Sequence, residues 1–85
     1  MNTQFVAIYK SPRTSKVVAK ETLFEAQRTL LGIVKSRNNP DVPNKVKKEI
    51  KTYSDLIAAM RALSVNGAVD AFILPVRVLS VEVGS

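Results

Sequence analysis

Eighty-five residues, 46% of them hydrophobic and 24% charged, suffice for one domain with a thin-margined core and are too apolar for a disordered chain. Thirteen Lys and Arg against seven Asp and Glu give a net charge of +6 at neutral pH. The absence of Cys and His removes disulfide scaffolds, the usual zinc and haem ligand sets, Cys nucleophiles and Ser-His dyads.

The opening Met1-Asn2-Thr3-Gln4 lacks the positive charge and apolar run of a secretory signal. The most apolar stretch, residues 71–76, is bounded by Asp70 and Arg77 and falls far short of the roughly 20 residues of a spanning helix. A soluble cytoplasmic protein with no membrane partner is therefore expected.

Residues 4–10 predict a strand, because Phe5, Val6, Ala7, Ile8 and Tyr9 form an apolar run with aromatic and β-branched members. The turn-rich residues 11–15 and a second short strand over 16–21 complete a β-hairpin. Thr22-Leu23-Phe24-Glu25 has the form of a capping box, with Glu25 expected to reach back to the Thr22 N–H. The helix that follows carries Leu23, Ala26, Leu30, Ile33 and Val34 on one side, widened by Phe24 and Leu31. So broad an apolar arc predicts contact with both a sheet and another helix, and Gly32 suggests a close packing contact.

Ser36-Arg37-Asn38-Asn39-Pro40 ends this helix, and Asp41 is the expected N-cap of a second, with Pro43 in its first turn. Val42, Val46, Ile50 and Tyr53 then form one stripe. Ser54 or Thr52 is expected to cap a third helix from Asp55 to about Val65, stopped by Asn66-Gly67. Two separate helices and one kinked rod both fit this stretch. Residues 68–83 return to strand chemistry through Val69, Phe72, Ile73, Val76, Val78, Val81 and Val83. Pro75 implies an edge position, a bulge or a break, and Leu79-Ser80 a second slip. The order is β-β-α-α-α-β: a small single α+β domain over residues 1–85, with helices on one face of an antiparallel or mixed three-stranded sheet.

A strand-strand-helix opening that includes Thr22-Leu23-Phe24-Glu25, in a short chain without Cys, resembles some small phage-encoded inhibitors of host machinery. That resemblance implies a protein-docking role and assigns no residue.

Catalysis needs groups that can be tuned near neutral pH. Glu25, Asp41 and Asp55 are explained as helix-start residues, and Asp70 as a strand-start residue rather than an acid or base. With no phosphate loop, dinucleotide fingerprint or metal-ligand spacing, a non-enzymatic protein with no cofactor and no metal is expected.

Charge is more informative. Residues 10–51 hold eleven basic and four acidic side chains, a net +7, whereas residues 52–85 net −1. At 100° per residue, Lys47, Lys48 and Lys51 project opposite the Val42 stripe. With Lys45, the linker residues Lys35 and Arg37, and Arg13 and Lys16 of the hairpin tip, they form the expected polyanion-binding set. Only Tyr9 and Tyr53 could stack on bases, so salt-sensitive phosphate contacts to nucleic acid fit better than base stacking. The alternative is a protein-interaction module docking on an acidic protein surface. The third helix is apolar nearly all round, and a last strand of some fifteen residues would overhang the hairpin. Ala58, Ala62, Val65, Val76, Val78 and Val81 are therefore expected at a partner or homodimer interface.

Overall fold

In the computed structural model, residues 2–63 and 69–78 are described. The apolar run near the start forms strand β1 (Asn2–Lys10), which folds back onto β2 (Ser15–Lys20). The turn between them is closed at Ser11, whose N–H and hydroxyl both donate to the Thr14 carbonyl at 2.8 and 2.9 Å. Helices α1 (Leu23–Val34), α2 (Asn44–Glu49) and α3 (Tyr53–Leu63) follow, and β3 (Asp70–Val78) returns to the sheet. This is the expected β-β-α-α-α-β order. The sheet is antiparallel throughout, in the order β2-β1-β3.

The most apolar strand thus takes the centre. β3 pairs with β1 along its whole described length, from Lys10 opposite Asp70 to Asn2 opposite Val78. Pro75 sits opposite Phe5 with the register unbroken, so of the three readings the edge position holds: an edge strand tolerates the missing donor. Within the described residues β1 and β3 are both nine residues long. The expected overhang and the slip at Leu79-Ser80 lie outside the described residues.

Thr22 caps α1, its hydroxyl oxygen accepting from the Glu25 N–H at 3.1 Å. Glu25 reaches back to the Thr22 hydroxyl, which donates to its carboxylate at 3.1 Å, rather than to the Thr22 N–H. α1 lies across all three strands and against α3, burying Ala26, Leu30 and Val34. Its apolar arc is narrower than expected. Leu23 and Phe24 are exposed, and a Cβ on Gly32 would meet nothing within 4 Å, so that glycine marks no close contact.

α2 and α3 are separate helices. Ile50 leaves α2 in an extended conformation, and Thr52, not Ser54, caps α3 by accepting from the Asp55 N–H at 3.2 Å. The Asp55 carboxylate accepts in turn from the N–H groups of Lys51 and Thr52, both at 3.0 Å. A rod through this point would need those donors for its own ladder.

Side chains alternate across a strand, so the register divides the sheet into two faces. Phe5, Ala7, Tyr9, Ala71 and Ile73 join the core with Leu30, Val34, Val42, Ile50, Leu56 and Met60. The opposite face carries Val6 and Ile8 of β1, Val17 and Ala19 of β2, and Phe72, Leu74 and Val76 of β3. The helices all pack on the first face.

Candidate functional site

The segment leaving α1 organises one end of the molecule. Lys35 ends the helix, and Asn39 is buried after it. The Asn39 amide nitrogen donates to the Tyr9 hydroxyl at 2.9 Å and to the Val34 carbonyl at 3.2 Å. Its oxygen accepts from the Tyr9 hydroxyl at 3.1 Å and from the Asp41 N–H at 3.2 Å. A buried amide with both ends satisfied pins residues 34–41 to the central strand.

Two further tethers attach here. Asp41 accepts from the Arg13 N–H at 2.9 Å and from Arg13 Nε at 3.0 Å, and Arg13 Nη2 donates to the Pro40 carbonyl at 3.3 Å. The Asp41 carboxyl is held below the usual carboxylate range, first by the Ser11 hydroxyl and then by the Arg13 N–H. These bonds hold the hairpin tip against the approach to α2. From the other side, Lys47 Nζ donates to the Ser36 and Asn39 carbonyls, each at 2.7 Å.

Two expectations are corrected by this geometry. Lys47, placed by helical projection on the outer face, is only 8% exposed and turned into the protein. α1 has no basic residue in its last turn, and Lys47 brings a cation to the carbonyls just beyond it, where the helix dipole is negative. A six-residue helix is too short for its projection to decide direction against two such acceptors. Asp41 is not the N-cap of α2. Pro43 holds that position without a side-chain bond, because the Asp41 carboxylate is engaged by Arg13.

Arg13, Lys16, Lys35, Arg37, Lys45, Lys48 and Lys51 are all exposed. Lys16 borders a small notch with Thr14, Ile33, Ser36, Asn38 and Asn39, so it belongs to the same end as Lys35 and Arg37. Lys45 and Lys48 lie three residues apart on α2, which Lys47 ties to that end. Lys51 stands apart at the α2–α3 junction. There the N–H groups of Lys51 and Thr52 hold the Asp55 carboxyl below its ordinary range.

Of the expected interface residues, Ala58 and Ala62 are exposed on α3, and Val76 is 42% exposed on β3. Val78 pairs with Asn2, while Val65 and Val81 lie outside the described residues. Ala58 lines an open groove of about 260 Å³ with Val46, Glu49, Ile50, Asp55 and Ala59. Its two carboxylates exclude Asp70, which opens β3 on the sheet, and the Asp55 carboxylate is already engaged by backbone N–H groups. Among the described residues there is no cluster of three metal-ligating side chains, and no helix long and apolar enough to cross a membrane.

Sequence reasoning missed Asn39, read only as part of a helix stop, and the bare sheet face. The second left a signal: residues 5–9 are apolar at every position, a run that alternation about a single core does not require. Comparison with protein-family models, with curated proteins and with solved structures finds no match to this chain.

Proposed function

We propose that this chain is a small non-enzymatic binding protein that engages a polyanion, nucleic acid, through the end built from Arg13, Lys16, Lys35, Arg37, Lys45 and Lys48, with Lys51 at the margin. The supporting observation is the pair of tethers at residues 36–41. Arg13 on Asp41 and Lys47 on the Ser36 and Asn39 carbonyls gather cations from the hairpin tip, the α1 exit and α2 at one end. Asp41, the acidic residue within this segment, is already paired with Arg13. Exposed cations on such a frame suit phosphate oxygens and carry little sequence information.

Five phosphate contacts, from Lys16, Lys35, Arg37, Lys45 and Lys48, with Arg13 engaged by Asp41, would give a salt slope of about −4.5 in log affinity against log salt, a loss of roughly 500-fold between 50 and 200 mM salt. Fluorescence anisotropy with duplex DNA and RNA of one length tests this. Lys45→Glu with Lys48→Glu should flatten the slope by about 2. Lys47→Met should leave the slope unchanged while costing about 1–3 kcal/mol of stability, since it strands two carbonyls. No binding at low salt, or binding indifferent to the Lys45/Lys48 pair, refutes the reading.

A second reading, docking on an acidic protein surface, draws on Phe24. It is 65% exposed, beside exposed Leu23, with the Arg28 guanidinium 5.8 Å from its ring centre. An arginine-backed aromatic is the composition of an interface anchor. Recovery of one stoichiometric acidic protein from nuclease-treated lysate, lost on Phe24→Ala, would favour this second reading.

A further inference from the structure

We infer that the uncovered face of the sheet is a homodimer interface, on which a second copy of this chain stacks face to face. Val6, Ile8, Val17, Ala19, Phe72, Leu74 and Val76 line this face, with the uncharged Gln4 opposite Val76, and the helices pack on the other. Val17 is 68% exposed, Leu74 47% and Val76 42%, three of the most exposed large apolar side chains described. Scattered apolar residues need no explanation, but a sheet face this largely apolar does.

Three properties of the face select a second copy as its occupant. The first is charge. The chain carries +6, yet no charged residue interrupts the apolar rows, so two copies can approach here without setting like charges against each other. The second is area. At ~4.8 Å between strands and ~3.4 Å per residue, β1 and β3, the two strands that a stacked copy covers, present a flat footprint of about 300 Å². Pleated side chains expose more than their footprint, so a stacked pair removes upwards of about 600 Å² from water, the size of a weak, reversible interface. Stacking completes the two-layer sandwich that an open sheet face otherwise lacks.

The third is the position of the terminal charges. Lys10 and Asp70 are register partners, side by side at one end of this face. A two-fold axis running along the strands between β1 and β3 lays β1 of one copy over β3 of its partner, keeping like ends together. Lys10 then meets the partner's Asp70, and by symmetry Asp70 meets the partner's Lys10. Ile8 falls over the partner's Phe72, and Val6 over the partner's Leu74. This association stacks faces and leaves strand edges unpaired. It uses Val76 among the residues expected at an interface, does not use α3, and does not rest on the cationic end.

Sedimentation equilibrium of the full chain over a wide concentration range tests the assignment. The mass should rise from 9.3 kDa towards twice that value in the micromolar range. Leu74→Lys should weaken association by at least about tenfold without loss of fold, because Leu74 is exposed on an edge strand. Val76→Lys repeats the test at a second exposed position of the same strand, whereas Val17 on β2 lies outside the overlap of the two sheets. Phe24→Lys, on α1, should leave the mass curve unchanged. Lys10→Asp should weaken the dimer, and adding Asp70→Lys should restore it. A monomer at every concentration overturns the proposal, as does a dimer indifferent to both Leu74→Lys and Val76→Lys. A monomer that floats with phosphatidylcholine vesicles overturns it too, and gives the face to lipid.

Discussion

Lys47 and Asn39 hold the proposed site without forming its surface. A buried ammonium with two carbonyl partners is retained for the structure it closes, and removing it leaves those acceptors unmet. The same logic gives a pH dependence at Asp55. Its folded carboxyl lies below the ordinary value of 3.8, because the Lys51 and Thr52 N–H groups bond the charged form. Charged Asp55 therefore stabilises the fold above the unfolded value, and that contribution is lost as pH falls through the lower folded value. In urea titrations, Asp55→Asn should lower the midpoint clearly at pH 7, and the gap from the parent chain should narrow below about pH 4. A gap that is constant with pH would show that the ionised form contributes nothing. Asp41, with its carboxyl held down by Ser11 and Arg13, adds to the parent's acid sensitivity in the same direction.

Among the elements, α1 was the most legible. Its capping residues and its Ala26, Leu30 and Val34 contacts follow directly from spacing. Gly32 was misread as a close contact, since a glycine in a helical pattern carries no local sign of what faces it. With an open environment and a helical backbone, Gly32→Ala should raise stability by up to ~1 kcal/mol, read as a higher urea midpoint at unchanged slope. A loss would mean that α1 packs more tightly there than described. The break between α2 and α3 was not legible, because Thr52 and Asp55 suit either a cap or a continuous surface. Their hydrogen bonds decide for the cap. Pro75 constrained β3 to an edge, a bulge or a break, and only the strand order selected the edge.

For the whole molecule, the +7 of residues 10–51 marked which part of the chain is basic but not where its side chains would meet. Long-range bonds make that decision: Arg13 to Asp41 and Tyr9 to Asn39 span 28 and 30 residues. Two proposed associations, one cationic and one apolar, should answer salt in opposite ways. Raising salt from 50 to 500 mM should weaken nucleic-acid binding steeply, while self-association is maintained or strengthened as the net charge is screened. Parallel anisotropy and sedimentation series would show it. A dimer that dissociates with the same salt dependence would place its interface among the lysines rather than on the sheet.

The order of strands and helices along the chain, the cap at Thr22 and the excess of positive charge were determined by the sequence alone, because each depends on residues within a turn or two of one another. Tertiary structure alone decided that Lys47 turns inward, that Asp41 serves the hairpin rather than α2, and that one apolar side of the sheet remains open. Those outcomes depend on which distant acceptor or neighbour lies within reach, and that is set only when the chain closes around Tyr9 and Asn39.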